Sequence, residues 1–347
     1  NSIYRITSQL KMSGKIILST SGTSSAPKLS VVSKQAMLCS AASVNGHLNI
    51  CSSDKWLCCL PTSHVSGLSI YARASLSNSN IVKLTNKWSP NDFIKQIHNH
   101  QITLCSLVPS QLHDLLSLNH KPNPELRALI IGGDKLSHET RNKAVDLGWP
   151  VLLTYGMTET CSQVATEIST GEGMKPLDIW DIKFNAECEL LVKGDALFDG
   201  YLEQKENENE NEKNWNFIAP FSDDGWFLTG DIGEINNSNI IINGRKDEQV
   251  KVLGEKINLK LLRSTFSSLY GKSITLISVP DLRKGNKIVM VAEISSDHER
   301  VFNEYNSKAT SIERAGELFI IDSIPRTSLG KLALNKLYET LEKRIDA

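Results

Sequence analysis

The sequence lacks the features that define several common classes of protein. Its net charge is −1, from 38 Lys and Arg against 39 Asp and Glu, so it offers no overall basic field for nucleic acid or an anionic membrane. No run approaches the ~18 apolar residues of a transmembrane helix. The N-terminus also lacks the charged-then-apolar order of a signal peptide. The seven cysteines include no C-x-x-C pair. These absences predict a reduced, cytoplasmic protein that neither binds nucleic acid nor inserts into a membrane.

Two catalytic signatures are also missing. The histidines show no metal-ligand spacing, and the G-x-S-x-G motif of serine hydrolases is absent. We therefore expect no metal held by the protein alone.

The length and composition indicate a globular protein of more than one domain. At roughly 150 residues per domain, the 347 residues predict two domains, and 40% hydrophobic residues suffice for a substantial core. We place the boundary at the charged turn Gly244–Glu248, which gives domains at 1–243 and 244–347. Because the chain begins at Asn1 and not at Met, its natural start is unknown.

Apolar, β-rich runs alternate with helix-like stretches up to Tyr155. The predicted strands are Lys15–Thr20, Trp56–Leu60, Asn80–Leu84, Ile102–Leu107, Leu126–Ile131 and Val151–Tyr155. The predicted helices include Ser33–Val44, Asn91–His100, Pro109–Leu118 and Ser137–Leu147. This alternation predicts an α/β domain with a mostly parallel, helix-covered sheet, and such sheets bind ligands at the carboxyl ends of their strands.

Further β structure follows, and then a compact α+β unit. Predicted strands before residue 244 are Cys188–Lys193, Trp226–Leu228, Glu234–Ile235 and Asn239–Ile242. From Gly244 onward we expect helices at Asn258–Leu269 and Leu332–Ile345, and strands at Ser273–Val279, Ile288–Ile294 and Leu318–Ile321. The stretch Glu203–Asn214, rich in Glu and Asn, indicates a solvated loop insertion, with a regulatory or partner-binding loop as the alternative.

The first motif with chemistry is a hydroxyl-rich loop after the first predicted strand. It contains Thr20, Ser21, Gly22, Thr23 and Ser24, and it ends at Lys28. Hydroxyls and free backbone N–H groups form an anion site, and the lysine adds a charge for phosphate, so the loop predicts a nucleotide phosphate site. It is not the usual NTPase P-loop, because Pro27 and Leu29 break that pattern. Taken alone, the loop could equally be a polar surface turn.

Four later elements suit the same ligand. Tyr155-Gly156-Met157-Thr158-Glu159 follows a strand, and it offers a ring for a base, a hydroxyl for a phosphate and a hard oxygen ligand for Mg²⁺. Asp231 can accept hydrogen bonds from a ribose diol. A charged connector and a turn with a lysine complete the set, with residues Arg245, Asp247, Lys251, Gly254 and Glu255 in the connector and Lys331 in the turn.

These five elements, in this order, resemble the ANL superfamily of adenylate-forming enzymes. The resemblance covers the chain from Thr20 to Lys331. It implies a large adenylation domain and a small, mobile C-terminal lid, with ATP and Mg²⁺ as cofactors and coenzyme A as co-substrate. It also implies that Gly132, Gly133 and Asp134 contribute to the nucleotide site.

Within that superfamily the chain is similar to the o-succinylbenzoate–CoA ligases of menaquinone biosynthesis. The similarity rests on Trp56–Leu68 and on the sequence YGMTETCSQ, which ends at Gln163. It implies that His64, Ser66, Arg73 and Ser162 bind the acid, with Arg73 holding a carboxylate that does not react. Structural roles are the alternative for His64, Arg73 and Ser162, and packing is expected for Cys58, Cys59 and Cys161.

The implied reaction has two steps. A carboxylate attacks the α-phosphate of ATP to give an acyl-adenylate and pyrophosphate, and the CoA thiol then displaces AMP. In the family, the lysine at the Lys331 position serves the first step with Thr158 and Glu159. The small domain then turns about the Asp247 position and brings in the face that carries Lys251 and Glu255. We expect small-molecule partners and leave a homo-oligomer open.

Three departures from the family pattern keep rival interpretations open. Ser25 stands where the loop usually has Gly, Asn258 or Leu259 replaces a Pro, and only 19 residues precede Thr20. The last point implies that part of the large domain is missing or reduced. The rivals are another acyl- or aryl-CoA synthetase, a module that loads a carrier protein, and a nucleotide-binding protein that has lost catalysis. Retention of Lys28, Glu159, Asp231, Arg245 and Lys331 argues against the last.

Overall fold

The computed structural model describes residues 12–19, 28–84, 87–204, 215–246, 249–253, 255–281, 283–327 and 330–345. Among these residues, no helix is both long and apolar enough to cross a bilayer.

The described residues form twenty strands. They are β1 (Lys15–Ser19), β2 (Leu29–Ser33), β3 (Lys55–Cys58), β4 (Asn80–Lys83), β5 (Leu104–Leu107), β6 (Ala128–Ile131), β7 (Val151–Tyr155), β8 (Ala165–Thr166), β9 (Lys175–Pro176), β10 (Asp181–Phe184), β11 (Glu189–Lys193), β12 (Gly200–Gln204), β13 (Trp215–Ile218), β14 (Phe227–Asn236), β15 (Asn239–Arg245), β16 (Gln249–Val252), β17 (Glu255–Asn258), β18 (Ile274–Asp281), β19 (Gly285–Glu293) and β20 (Ala315–Ile321).

The same residues form eight α-helices and one short 3-10 helix at Thr158–Thr160. The α-helices are α1 (Lys34–His47), α2 (Val65–Ser77), α3 (Pro90–Asn99), α4 (Pro109–Ser117), α5 (His138–Asp146), α6 (Leu259–Tyr270), α7 (His298–Lys308) and α8 (Leu334–Ile345).

The largest sheet has seven strands in the order β4-β3-β5-β6-β7-β8-β9. Its first five strands pair in parallel, and β8 and β9 add an antiparallel edge. The predicted α/β class with a mostly parallel sheet is confirmed. Because parallel strands end at the same edge, the loops after β3, β6 and β7 open on one side of the sheet.

Helices cover both faces of this sheet. Leu57 of β3 packs in one core cluster with Phe93 of α3 and Leu112 of α4. Successive side chains of a strand point to opposite faces, so Trp56 points the other way, where its ring lies 6.0 Å from the Arg73 guanidinium carbon of α2. Trp56 and Leu57 are fully buried, as expected for a strand covered on both sides.

The helix starts follow the local sequence. Ser33, Ser89 and Ser137 precede α1, α3 and α5, and each side chain accepts a hydrogen bond from a backbone N–H of the first turn. Asn258 caps α6 in the same way, accepting from Leu261 N at 3.0 Å. The residue that replaces the expected Pro therefore still starts the helix.

A smaller antiparallel sheet carries the ends of the predicted phosphate loop. Its order is β1-β2-β12-β13, and Ser19 at the end of β1 pairs with Leu29 at the start of β2. The loop residues 20–27 lie outside the described residues. Strand β12 pairs with β2, so a segment about 170 residues later in the chain lies beside the strand that follows this loop.

The remaining strands form two more sheets. One has the order β10-β11-β14-β15, and the other is β17-β16-β19-β18 with β20 parallel to β19. Helices α6 and α7 pack on the second of these sheets through the cluster of Phe266, Val301 and Tyr305. The predicted C-terminal α+β unit is therefore present.

Several elements differ from the sequence prediction. Strand β14 is continuous from Phe227 to Asn236, although two short strands were expected, because Gly230 continues the strand with φ +76° instead of ending it. Helices α2 and α7 were not predicted. The buried face of α2 carries Ser69 and the charged Arg73 beside Ile70, and a charged residue is a sequence sign of surface rather than of a buried face.

The chain divides into two compact units. The first contains residues 1–183, 191–228 and 235–241, and the second contains 184–190, 229–234 and 242–347. Two short segments before residue 243 thus group with the C-terminal part. The boundary at Gly244 stays a prediction.

A buried carboxylate ties together the amino ends of the central strands. Asp54, 3% exposed before β3, receives two hydrogen bonds from Arg127 before β6, at 2.9 and 2.7 Å. Thr103 before β5 donates to it at 2.7 Å, and Cys51 N donates at 3.0 Å. Burial pushes the Asp54 pKa up, but these hydrogen bonds outweigh it and hold the pKa below its usual range.

We expect Asp54→Asn to lower the free energy of unfolding by about 1.5–3 kcal/mol at pH 7, the range for hydrogen bonds to a charged group. Because the folded-state pKa is depressed, this stabilisation is present above the unfolded pKa of about 3.9. It is lost as pH falls through the folded value. Urea unfolding at pH 7 and at pH 3 measures the difference.

The matched control is Asp146→Asn, at an exposed aspartate near the end of α5. It should change stability by less than about 0.5 kcal/mol. An Asp54→Asn deficit as large at pH 3 as at pH 7 would show that packing, and not charge, accounts for it.

Candidate functional site

Three loops at the carboxyl edge of the parallel sheet bear predicted site residues. His64 is the N-cap residue of α2 after β3, and Ser66 lies in the first turn of that helix. Gly132, Gly133 and Asp134 follow β6, and the segment from Tyr155 onward follows β7. The parallel register β3–β5–β6–β7 therefore brings these segments to one edge of the sheet.

The segment after β7 folds into a tight turn. Thr158–Thr160 is a 3-10 turn, and Cys161 and Ser162 follow with positive φ angles of 53° and 117°. Gly156 lies against the end of this turn, where a Cβ atom would stand 1.6 Å from the Ser162 carbonyl oxygen. Only glycine fits at that approach, and the turn aims the Ser162 side chain at α2.

Arg73 is a buried cation in the predicted acid pocket. It is 1% exposed, its Nη2 donates to Ser162 Oγ at 3.0 Å, and its guanidinium lies over the Trp56 ring. Ser69 Oγ lies 3.4 Å from the same Ser162 hydroxyl. The structure thus brings together Arg73 and Ser162, which lie 89 positions apart in the chain.

The charge of Arg73 has no anionic partner among the described residues. Its Nε is buried without a hydrogen-bond partner, and Ser162 is a neutral acceptor. Burial lowers the pKa of Arg73 to about 10, so the group still carries its charge at pH 7. A buried, unpaired charge is costly in a folded protein, and an anionic ligand would offset that cost.

His64 and Ser66 lie at the start of the helix that carries Arg73. His64 does not cap the helix with its side chain, and its carbonyl accepts from Leu68 N at 3.0 Å. The Ser66 carbonyl oxygen accepts a hydrogen bond from Ser69 Oγ at 3.1 Å. The side chains of His64 and Ser66 are half-buried and are available to a ligand at this edge.

Glu159 and Lys28 meet at strand β12. Tyr201 of β12 donates from its hydroxyl to Glu159 Oε1 at 2.7 Å, and Lys28 Nζ lies 5.4 Å from the centre of the same ring. Lys28 also forms an ion pair with Glu203 at 2.7 Å. A carboxylate for a cation and a lysine for a phosphate are therefore neighbours.

In the second compact unit, Asp231 and Arg245 form a pair. Asp231 is 7% exposed, and its Oδ1 lies 3.5 Å from Arg245 Nη1. Gly230, with φ +76°, leaves room for the guanidinium, because a Cβ there would lie 2.8 Å from Arg245 Nη2. This pair presents a carboxylate and a cation of the kind expected for a ribose.

The connector after Arg245 begins with a lysine held by two carboxylates. Lys246 Nζ lies 2.7 Å from Glu187 and 2.9 Å from the buried Glu189. Both contacts raise the pKa of Lys246.

Lys331 lies in a closed turn before α8. Its backbone N–H donates to Thr327 Oγ1 at 3.2 Å, and its carbonyl accepts from Thr327 N at 2.8 Å. Glu255 is the exposed first residue of β17.

Some predicted residues lie outside the described part of the chain. They are Thr20, Ser21, Gly22, Thr23 and Ser24 of the phosphate loop, Asp247 and Gly254 of the connector, and the side chain of Lys251. Their roles stay predictions.

The described residues hold no cluster of three or more His, Cys, Asp or Glu side chains that could bind a metal on their own. Glu159 offers one hard carboxylate, with one oxygen engaged by Tyr201. Such a site fits Mg²⁺ that is bound mainly by substrate phosphates and water, which is how Mg²⁺ often binds.

Sequence reasoning missed Tyr201 and the stacking role of Trp56. Tyr201 sits in a short β-strand beside the Glu- and Asn-rich stretch, with no local sign of its contacts. The alternation along β12 puts Tyr201 and Glu203 on one face, but only the pairing with β2 shows what that face meets.

The comparisons with known proteins define the class. The AMP-binding enzyme family matches residues 15–202, which is more than half of the chain. The chain therefore belongs to the AMP-binding enzymes, and the predicted family membership is confirmed.

Several relatives of the chain are named for a more specific activity than the family. It is 28% identical to the 2-succinylbenzoate–CoA ligase of Enterococcus faecalis over 344 residues, covering 92% of this chain and 68% of the relative. The ligase of Bacillus subtilis is 27% identical, with the same coverage.

Two solved structures from Bacillus subtilis have the same fold. The o-succinylbenzoate CoA synthetase in complex with the acyl-adenylate OSB-AMP matches with TM-score 0.79 and 26% identity, over 92% of this chain and 68% of that one. The same enzyme with ATP and magnesium ion matches with TM-score 0.78 and 26% identity, over 93% and 69% of the two chains.

The contact at Gly156 leads to a stability prediction. Gly156→Ala should lower the free energy of unfolding by about 1–3 kcal/mol, since the new methyl group displaces the Ser162 backbone. Thermal unfolding followed by circular dichroism measures this.

Gly46→Ala is the control, because Gly46 is helical and has open space around the added methyl group. It should leave stability unchanged or raise it by up to about 1 kcal/mol. Equal effects of the two substitutions would refute the close approach at Gly156.

Proposed function

We infer that this chain is an ATP-dependent ligase that joins o-succinylbenzoate to coenzyme A through an acyl-adenylate. Family membership supports the adenylate chemistry. The 2-succinylbenzoate–CoA ligases among its relatives support the choice of acid. The observation that carries the proposal is the buried Arg73, whose charge has no carboxylate among the described residues.

The substrate has two carboxylates, and only one of them reacts. Arg73 would hold the other through its planar N–H fork, which suits a carboxylate. Ser162 shares a hydrogen bond with Arg73 and would orient the fork. His64 and Ser66, at the start of the same helix, would complete the acid pocket.

In the first step the reacting carboxylate attacks the α-phosphate of ATP, and pyrophosphate leaves. Lys28 and the hydroxyls of the loop Thr20–Ser24 would bind the phosphates. Thr158 would bond a phosphate through its hydroxyl, and Glu159 would bind the Mg²⁺ that arrives with ATP. Lys331 would stabilise the negative charge at the α-phosphate, so catalysis is mainly positioning and charge stabilisation.

Other residues would hold the nucleoside. Tyr155 would stack on the base, next to Gly156 and the segment Gly132–Asp134. Asp231 would accept hydrogen bonds from the ribose diol, and Arg245, which lies beside it, would assist.

In the second step the CoA thiol attacks the acyl carbonyl, the bond to the phosphate breaks, and AMP leaves. The family resemblance assigns the domain rotation before this step to Asp247. It assigns the thioester face to Lys251, Gly254 and Glu255.

Pyrophosphate release from the purified chain tests the proposal. The panel of acids is o-succinylbenzoate, benzoate and a medium-chain fatty acid, each with and without CoA. We expect pyrophosphate release with o-succinylbenzoate, and thioester formation only when CoA is present. A preference for either monocarboxylate would indicate a different acyl-CoA synthetase. A lack of pyrophosphate release with every acid would favour a nucleotide-binding protein that has lost catalysis.

We expect Arg73→Ala to raise the KM for o-succinylbenzoate by about 10- to 100-fold, since a hydrogen bond to a charged group contributes about 1.5–3 kcal/mol. The KM for ATP should change little. Because the interaction is the same in the ground state and the transition state, kcat should be largely kept.

Arg73→Met fills the space without a charge and so separates an effect on binding from an effect on folding. Arg300→Ala, at an exposed arginine of α7, is the surface control. A parallel rise in the KM of both substrates would return Arg73 to a structural role.

We expect Lys331→Ala to slow adenylate formation by about 10²- to 10³-fold, the loss typical of one preorganised donor. Thioester formation from supplied acyl-adenylate should be kept, because the lysine acts only in the first step. Single-turnover assays of the two half-reactions measure both rates.

Lys336→Ala, at an exposed lysine of α8, is the matched control and should leave both rates unchanged. An equal loss in the two half-reactions would overturn the assignment of Lys331 to the first step.

A further inference from the structure

Tyr201 contacts both Glu159 and Lys28, the two side chains that we predict to bind the Mg²⁺ and the phosphates of ATP. Its backbone pairs with Ser30 of β2, so the residue lies directly beside the end of the predicted phosphate loop. Its hydroxyl donates to Glu159 Oε1 at 2.7 Å. Its ring lies 5.4 Å from Lys28 Nζ, within the range of a cation–π contact.

A second aromatic residue packs against the ring of Tyr201. Phe198 contacts it edge-on with centroids 4.7 Å apart, and Phe198 N donates to the Glu159 carbonyl at 2.8 Å. The same short segment therefore fixes the tyrosine ring and the backbone of Glu159. The position of Glu159 relative to Tyr201 is thus set at two points.

Glu203 completes the arrangement from the same face of β12. It is two residues after Tyr201, and its carboxylate forms the 2.7 Å ion pair with Lys28. Lys28, the last residue of the predicted loop, is thereby kept over the Tyr201 ring.

The hydrogen bond leaves the second Glu159 oxygen for another partner. A carboxylate has about four lone-pair sites, so it can accept from a tyrosine hydroxyl and bind a cation at the same time. Hydrogen bonds of this kind orient carboxylates that bind metals, and their loss typically costs about 10- to 100-fold in metal affinity or activity.

We propose that Tyr201 is a positioning residue for Mg·ATP: its hydroxyl orients Glu159 toward the cation, and its ring supports Lys28 toward the phosphates. This inference rests on the proposed function, since it takes Mg·ATP as the ligand. It adds a residue from strand β12 to a site otherwise assigned to the loops after β1 and β7.

The two contacts can be separated by substitution. Tyr201→Phe removes the hydroxyl and keeps the ring contacts with Lys28 and Phe198. Tyr201→Leu removes both. Tyr338→Phe is the matched control, because it deletes a tyrosine hydroxyl that donates to the Ser278 carbonyl at 2.9 Å, far from these residues in the chain.

Isothermal titration calorimetry of ATP binding, over a series of Mg²⁺ concentrations, is the test. For Tyr201→Phe we expect the Mg²⁺ concentration at half effect to rise about 10-fold, with ATP affinity in EDTA unchanged. For Tyr201→Leu we expect weaker ATP binding in EDTA as well. Tyr338→Phe should match the wild type in both measurements.

The outcomes separate this inference from the function on which it rests. If the wild type binds ATP more tightly with Mg²⁺ but Tyr201→Phe shows the same Mg²⁺ dependence, the inference is wrong and the proposed function stands. If Tyr201→Phe weakens ATP binding equally with and without Mg²⁺, the hydroxyl has only a structural role and the inference is again wrong. A wild type that binds no ATP overturns the proposed function, and the inference with it.

Discussion

The parallel pairing of β3, β5, β6 and β7 is the constraint on which the site depends. In-register parallel strands must end at the same edge, so the segments that follow β3, β6 and β7 meet there, although they are far apart in the chain. Helices on both faces bury the strands and keep water from their backbone groups. The carboxylate of Asp54 ties the opposite ends of three of these strands through Arg127 and Thr103. This stabilising network thus lies at the edge opposite to the one that bears the predicted site residues.

Asp54 and Arg73 are both buried charged groups, but their hydrogen-bond partners differ. Asp54 is buried with a cation and several hydrogen bonds, which makes it a structural group. Arg73 is buried with one neutral acceptor and an unsatisfied Nε. The first arrangement stabilises the fold by itself, whereas the second leaves a buried charge without an anionic partner among the described residues. This contrast is the physical basis for the proposal that Arg73 binds the substrate, in an AMP-binding enzyme whose relatives include 2-succinylbenzoate–CoA ligases.

Most of the regular elements follow from local sequence. Serine caps before α1, α3 and α5, the apolar run of β6 and the mostly apolar run of β5 set these elements within a few residues, because their signals are short-range. Helix α2 was not predicted, and its buried face carries Arg73, a residue type that sequence patterns place at the surface. The prediction divided strand β14 in two because a glycine such as Gly230 is typical of a turn. In the structure Gly230 has a φ of +76° and makes room for Arg245 inside a continuous strand.

By itself, the sequence determined the class of the protein and the order of its motifs, because hydroxyls, glycines and charged residues at set spacings carry nucleotide chemistry locally. It also named both members of the Arg73–Ser162 contact, though not that they meet. Only the tertiary structure decided which residues share a site. Tyr201 reaches Glu159 and Lys28 because β12 pairs with β2 across about 170 residues, and no local pattern encodes a pairing between strands so far apart. That no described carboxylate pairs with Arg73 is likewise a property of the folded neighbourhood, since burial and partners exist only after the chain has packed.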